Sequence, residues 1–251
     1  MTVLNQVVLI SGVNFLSAFV QASTGFGYAL IAMPLMALFL PMASCSAISA
    51  VTIVAIGLQM SLKLRKNLKL STIALPVLCC LVTIQVGLLL LRTFDDAVLR
   101  MILAILLVVV TCISFVTRKK GQVLSGKWYV AAAAGLLTGL SAGMFNIVGP
   151  FLMLYYINVC DDTLHLKASL EFSFLIAGLY SSAMHLFAYQ NIHTAVAPHI
   201  GASVVAALIA GLVGIKVYKK INRNVISIIV YVLLLVMALI LVLNSVVQMN
   251  M

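Results

Sequence analysis

Apolar stretches of membrane-spanning length follow one another along almost the whole chain, and they limit its fold more than any other feature. Of the 251 residues, 64% are hydrophobic and 8% are charged, whereas soluble globular domains carry about 25% charged residues. A chain with so few polar side chains cannot cover the surface of a globule. The sequence therefore predicts an all-α polytopic membrane protein, because a helix satisfies its own backbone hydrogen bonds in lipid.

The apolar runs predict ten helical segments. They lie near residues 3–21, 27–40, 44–62, 71–91, 97–117, 128–142, 146–158, 166–187, 194–217 and 224–247. One straight helix over 3–40 would be about 57 Å long, nearly twice the hydrocarbon core of about 30 Å. We therefore expect broken or re-entrant helices at 21–34 and 139–150. The first run has no basic residue before it and continues past any cleavage point, so it is expected to be a retained helix.

Basic residues predict the topology. Twelve of the fifteen fall in three short clusters between apolar runs: Lys63, Arg65, Lys66 and Lys69; Arg118, Lys119, Lys120 and Lys127; Lys216, Lys219, Lys220 and Arg223. This placement indicates cytoplasmic loops rather than a nucleic-acid surface, despite the net charge of +10. An even number of crossings must then separate the second and third clusters, as a hairpin over 128–158 provides. Both termini are predicted to lie outside.

The chain also looks duplicated. The stretch GYALIAMP ends at Pro34 and GMFNIVGP ends at Pro150, while RKNLKLSTIALP resembles YQNIHTAVAPHI and pairs Asn67 with Asn191. Each copy has five segments, an odd number, so the second copy is predicted to be inverted. The predicted units are a first repeat over 1–117, a cytoplasmic basic loop over 118–127 and an inverted repeat over 128–251.

Inverted repeats with interrupted helices are typical of secondary transporters. The expected interruptions are Ser23-Thr24-Gly25-Phe26-Gly27 in the first copy and Gly139-Leu140-Ser141-Ala142-Gly143, followed by Asn146, in the second. Half-helices that begin near Gly27 and Gly143 would point free N–H groups and positive dipole ends into a cavity, and such ends favour anions.

Two stretches carry a family resemblance. VNFLSAFVQASTGFGYALIAMPLMALFLP and its weaker echo AAGLLTGLSAGMFNIVGPFLMLYYI resemble the TauE/SafE sulfite exporter family, also called the sulfonate permease group. Both copies fit the pattern of an apolar helix, a small-residue break and a short apolar stretch with proline. The resemblance implies transport of a small anion such as sulfite, sulfoacetate or a related organosulfonate.

Polar residues and glycines around the two interruptions are the candidate substrate-binding residues. They are Gln21, Ser23, Thr24, Gly25, Gly27, Tyr28, Ser141, Gly143 and Asn146. The alternative for the small residues is close helix packing, and for Asn146 it is an amide cap on the broken helix. Glu171, the one glutamate in the chain, is a candidate for proton coupling. Its alternative is an interfacial position with Lys167 as partner.

Other function classes find little support. The sequence has no H-E-x-x-H pattern and no complete G-x-x-x-x-G-K-[ST] P-loop motif, and its five cysteines show no C-x-x-C spacing, so we expect no enzyme, no cofactor and no metal site. The expected partners are a small anionic substrate and the lipid bilayer, without nucleic acid, and a homodimer is left open. The expected location is the cell membrane, as a multi-pass protein of the bacterial inner membrane. A non-transport accessory or assembly subunit and an anion channel remain alternatives.

Overall fold

A computed structural model describes residues 3–25, 27–120, 126–217 and 223–249. It shows ten α-helices and no strand in these ranges: α1 Val3–Thr24, α2 Tyr28–Met36, α3 Met42–Leu64, α4 Leu70–Thr93, α5 Asp96–Lys120, α6 Trp128–Phe145, α7 Gly149–Val159, α8 Thr163–Ala183, α9 Ala197–Val217 and α10 Arg223–Met249. A 3₁₀ turn over Arg65–Asn67 follows α3, and a π-helical turn over Met184–Ala188 follows α8. Eight described helices are long and apolar enough to cross a membrane. The all-α polytopic fold is therefore confirmed.

The two short helices occur where the sequence predicted interruptions. Helix α2 has 9 residues and α7 has 11, too few to cross a hydrocarbon core of about 30 Å. Each follows a longer helix after a gap of three residues. The chain therefore contains two pairs, α1 with α2 and α6 with α7, in which a long helix is followed by a short one.

Glycines bring α6 against α4. A Cβ added to Gly135 would lie 2.2 Å from the Pro76 carbonyl oxygen, and one added to Gly143 would lie 2.2 Å from that of Ile84. These contacts follow the same order along both helices, so α4 and α6 run parallel. Small residues at four-residue spacing commonly permit such close approach in membranes.

A matching parallel pair is formed by α1 and α9. Asn14 Nδ2 donates to Ser203 Oγ over 3.0 Å, and further along, Gly214 lies against Ala22. With copies taken as α1–α5 and α6–α10, the pair α1 with α9 corresponds to the pair α6 with α4. The pairs α3 with α9 and α8 with α4 correspond in the same way.

The central helices α3 and α8 run antiparallel. Ser46 near the start of α3 lies beside His185 beyond the end of α8, and Gly57 lies against Leu175. Helix α4 runs parallel to α8, because Thr72 lies beside His165 and, further along, Gln85 donates to the Tyr180 hydroxyl. Helix α3 is therefore antiparallel to both α4 and α8.

These directions separate the turns into two faces. One face carries the α3–α4 turn, where Lys69 pairs with Asp161 of the α7–α8 turn, and we call it the basic face. On the opposite face the Met42 N–H donates to Asp96, which joins the starts of α3 and α5. Asn191 lines a pocket with Asp96 on that opposite face, and Asn67 lies in the α3–α4 turn.

Part of the predicted topology lies outside the described residues. Residues 121–125 of the predicted loop 118–127, and Lys219 and Lys220 of the third basic cluster, are not described, and neither are the side chains of 116–120, Lys216 and Arg223. The placement of both termini outside, the division into repeats at 118–127 and the inverted orientation of the copies stay predictions.

Candidate functional site

The first interruption joins α1 to α2 through two glycines in the left-handed region. Gly25 has φ 97° and Gly27 has φ 110°. A Cβ at either position would meet no atom within 4 Å, so the backbone conformation rather than the available space calls for glycine. The Gly25 N–H donates to the Gln21 carbonyl over 2.7 Å and ends α1. This interruption lies inside the predicted range 21–34.

The second interruption joins α6 to α7 over 146–148. Asn146 has φ 54°, a conformation that asparagine tolerates better than most residues, and its N–H donates to the Ala142 carbonyl over 2.8 Å. Ser141 Oγ donates to the Ile147 carbonyl over 2.7 Å. The hydroxyl thus satisfies a backbone acceptor that the interruption leaves without a helical partner.

This position differs from the expected one by several residues. Helix α6 continues unbroken through Gly139 and Gly143, although the sequence suggested unwinding at these glycines. The interruption still falls inside the predicted range 139–150. Both glycines instead lie against α4, where a Cβ on Gly139 would be 2.2 Å from the Cys80 carbonyl oxygen.

One buried cavity is lined by both interruptions. Gln21 and residues 27–30 contribute from the first, residues 146–150 contribute from the second, and Ile53 of α3 and Phe174 of α8 complete the wall. The volume open to the centre of a water molecule is about 10 Å³, which is room for about one water. A larger ion can enter only if the walls move apart.

Four of the predicted site residues line this cavity: Gln21, Gly27, Tyr28 and Asn146. Gln21 and Asn146 are each 1% exposed. The first turn of α2 also faces the cavity, and the first N–H groups of a helix have no partner within it. The walls therefore combine two amide side chains with the positive end of a short helix.

The other predicted residues lie close by without lining the cavity. Ser23 Oγ donates to the Phe19 carbonyl over 2.7 Å, and Thr24 Oγ1 donates to the Val20 carbonyl over 2.8 Å. A hydroxyl has one proton to donate, so in this conformation both hydroxyl protons go to backbone carbonyls of α1. Gly25, Ser141 and Gly143 shape the backbone or pack against it, and a direct role in substrate binding stays a prediction for all five.

Glu171 lies two turns into α8 and is wholly buried. Its Oε2 accepts a hydrogen bond from Gln21 Nε2 over 3.2 Å. Lys167, one turn nearer the basic face, donates from Nζ to the Ala22 carbonyl over 3.2 Å. The carboxylate is therefore one amide side chain away from the cavity, and the proton-coupling role stays a prediction.

Residues 139–143 match G-x-S-x-G, the pattern around the nucleophile of many hydrolases. In those enzymes the serine lies on a sharp turn between a strand and a helix. Here Ser141 lies inside the continuous helix α6 and donates to a backbone carbonyl. The match therefore carries no catalytic interpretation.

Buried polar residues that the sequence did not single out surround the site. The Tyr28 hydroxyl donates to Asn14 of α1, and Asn146 Nδ2 donates to the Ser46 carbonyl over 2.8 Å and to its Oγ over 3.0 Å. His185 is wholly buried against Ser46. Single polar residues within apolar helices give little signal, because their partners are distant in sequence.

Comparison with known protein families gives one result. The chain matches the family model described as Sulfite exporter TauE/SafE over residues 10–241, which is almost its whole length of 251 residues. No curated protein and no solved structure gives a significant match. The match covers both interruptions and all the residues of the cavity.

Proposed function

The chain belongs to the TauE/SafE sulfite exporter family, and from this membership we propose that it is a secondary transporter of sulfite or a related organosulfonate. The transporter works in the cell membrane, in bacteria the inner membrane, and exports its substrate by alternating access. The observation that carries the proposal is the shared cavity. Two helix interruptions, more than 100 residues apart in sequence, line one buried space.

The chemistry of the cavity suits an oxyanion. Its walls offer the amides of Gln21 and Asn146 and the start of α2, and none of the described residues that line it is acidic. Helix N-termini bind anions through free N–H groups and the helix dipole. The Gln21 amide has two N–H donors and gives one of them to Glu171, so a sulfite held by the other donor lies close to the Glu171 carboxyl group.

That proximity suggests the coupling mechanism. A charged Glu171 repels an anion held by Gln21, and in a buried site the repulsion is weakly screened. Protonation of Glu171 removes the repulsion. We therefore assign Glu171 to proton coupling, so that an anion and a proton move together and the pH gradient influences the flux.

Alternating access by inverted repeats is supported by the helix directions. Helices α3 and α8 occupy corresponding places in the two copies and run antiparallel. Helix α6 runs parallel to α8, since both are parallel to α4, and opposite to α3. Each interruption then lies nearer a different face, the arrangement in which two copies can exchange conformations.

The experiment is transport of ³⁵S-labelled sulfite into proteoliposomes under anaerobic conditions, with sulfoacetate as competitor. Wild-type protein is compared with Asn146→Leu and Gln21→Leu. The matched control is Asn158→Leu, whose amide donates to its own helix in α7, away from the cavity. A hydrogen bond to a charged group contributes about 1.5–3 kcal/mol, so each cavity variant should weaken sulfite binding by about 10–100-fold.

Each outcome has a distinct meaning. Saturable flux that falls in both cavity variants and survives in the control supports the proposed site. If Glu171→Gln keeps flux but loses its response to a pH gradient, the coupling role is supported. Flux that does not saturate would indicate a channel. No flux of any sulfur oxyanion through folded protein would favour the accessory-subunit alternative.

Topology has its own test. Single cysteines at Asn67 and at His193, next to Asn191, should react with an impermeant reagent from opposite sides of the membrane. The basic-face site should react from the cytoplasmic side. Reaction of both from one side would contradict the inverted-repeat arrangement.

A further inference from the structure

A chain of hydrogen-bonded polar side chains leads from the cavity towards the opposite face. Asn146 Nδ2 is 3.0 Å from Ser46 Oγ, Ser46 Oγ is 3.1 Å from His185 Nε2, and His185 Nδ1 is 2.9 Å from Asn191 Nδ2. Asn146, Ser46 and His185 are at most 1% exposed. The chain joins α3, the π-helical turn after α8 and the second interruption.

The two ends of this hydrogen-bonded series of side chains line two different openings in the protein. Asn146 lines the central cavity. Asn191 lines a pocket of about 470 Å³ on the opposite face, together with Arg92, Asp95 and Ala43. Ala43 and Ser46 are three residues apart on α3, which is about one helical turn. Along α3 the pocket wall at Ala43 and the cavity wall at Ile53 are ten residues apart, about 15 Å, and Ser46 of the polar layer lies between them.

The local backbone is irregular where the layer forms. The five residues Met184–Ala188 adopt a π-helical turn, a feature that occurs often at functional sites. The Asn191 N–H donates to the His185 carbonyl over 2.9 Å, so Asn191 holds both the backbone and the side chain of His185. Gln190 next to it has φ 53°, a conformation uncommon for residues other than glycine.

The layer has a counterpart on the other side of the cavity. Gln21 at the first interruption bonds Glu171 of α8, and Asn146 at the second bonds Ser46 of α3. Helices α8 and α3 correspond in the two copies. Each interruption is therefore tied to the central helix of the other copy, once towards the basic face and once towards the opposite face.

We propose that Asn146, Ser46, His185 and Asn191 form the outer gate of the transport path, and that the 470 Å³ pocket is its outer vestibule. In this structure the gate is closed. It opens when the Ser46 contacts to Asn146 and His185 separate, and the anion then passes between α3, the π-helical turn and the second interruption. This assignment rests on the proposed function, and it adds Ser46 and His185 as positioning residues of the outward-facing half.

The test measures access to the cavity from each side. Val148 is 3% exposed and lines the cavity, so Val148→Cys serves as the reporter in a protein whose five native cysteines are replaced. Membrane vesicles of both orientations are treated with an impermeant methanethiosulfonate reagent. Lys66→Cys and His193→Cys, on the basic and opposite faces, establish the sidedness of each preparation.

Gate variants should change access from one side alone. Ser46→Ala and His185→Ala should each raise labelling of the reporter from the opposite face by about tenfold, with labelling from the basic face unchanged. One matched control is Ser245→Ala, which changes a buried serine that donates to its own helix in α10. The other is His199→Ala, which changes a buried histidine on α9 that is hydrogen-bonded to the carbonyl of Ala195, just before that helix. Neither control should change either rate.

A uniform increase from both sides would show general loosening and would overturn the gate, as would unchanged labelling in both gate variants. The labelling assay uses no sulfite, so its result can be interpreted separately from the proposed function. If the protein transports sulfite but the gate variants leave labelling of the reporter unchanged, the gate proposal is refuted and the proposed function is not. Side-specific labelling without sulfite flux keeps the gate and refutes sulfite as the substrate.

Discussion

Gly143 tests whether a glycine near a helix interruption serves packing or substrate binding. It was a candidate binding residue by sequence, but in the structure it faces α4. A Cβ at this position would lie 2.2 Å from the Ile84 carbonyl oxygen and 2.8 Å from Gly87 Cα, whereas ordinary contact begins near 3.4 Å. Gly143→Ala should therefore force the two helices apart.

The size of the effect follows from that overlap. The carbonyl oxygen belongs to helical backbone and cannot rotate away, so α4 and α6 must separate by about 1 Å, and a gap of that size removes a quarter to a half of the dispersion energy at each contact. Overpacking of a tight interior typically costs about 1–3 kcal/mol. For a chain of this length the midpoint of thermal unfolding should then fall by about 2–12 °C.

The assay is thermal unfolding of the detergent-solubilised protein, with Gly12→Ala and Gly201→Ala as controls. A Cβ at either control position meets no atom within 4 Å, and alanine exceeds glycine in helix propensity by up to about 1 kcal/mol. Both controls should keep or raise the midpoint. If Gly143→Ala unfolds at the wild-type temperature but loses sulfite affinity, the packing explanation is refuted and the sequence-based role is restored.

Three further predictions concern the ends and turns of helices. Gly27→Ala should destabilise the protein by about 1–2 kcal/mol through its positive φ alone, measured as a lower unfolding midpoint, and an unchanged midpoint would contradict the strain. Asp162→Ala should cost about 0.5–2 kcal/mol, because Asp162 Oδ1 accepts from the N–H groups of Leu164 and His165 at the start of α8, and Asp162→Asn should recover most of the loss. Lys69 holds the pKa of Asp161 below its ordinary value, so the stability from this pair is present above the carboxyl pKa of the unfolded chain and is lost as pH falls through the lower pKa of the folded protein. Asp161→Asn should remove that part of the acid dependence when unfolding is measured against pH. A wild-type acid profile in the variant would contradict this prediction.

Most of the fold could be predicted because the bilayer restricts helix lengths. Every apolar run of the sequence became a helix, and the runs too short to cross became α2 and α7. The position of the second interruption could not be predicted, because glycine both frees the backbone and admits a close neighbour. Gly139 and Gly143 look alike under either interpretation, and only the nearby α4 decides between them.

The candidate site was predictable where polar residues cluster in sequence. Gln21, Gly27 and Tyr28 lie together in the chain and line the cavity. Ser46 and His185 are 139 residues apart, and each is one polar residue in an apolar helix, so neither signals its partner. Such pairs depend on helix packing, which no local pattern specifies.

Alternating access requires some helix interfaces to stay fixed while others change, and the helix contacts of this protein are of two corresponding kinds. The α4–α6 interface packs backbone against backbone through Gly135, Gly139 and Gly143, and separating it would lose many dispersion contacts at once. Hydrogen bonds instead tie the cavity walls to the central helices, from Gln21 to Glu171 and from Asn146 to Ser46. Each contributes only about 0.5–1.5 kcal/mol net, or about 1.5–3 kcal/mol where a charge is involved. In the proposed transport cycle, binding of one anion offsets such a cost, and the two interruptions move against α3 and α8 while the glycine-packed pair moves as one body.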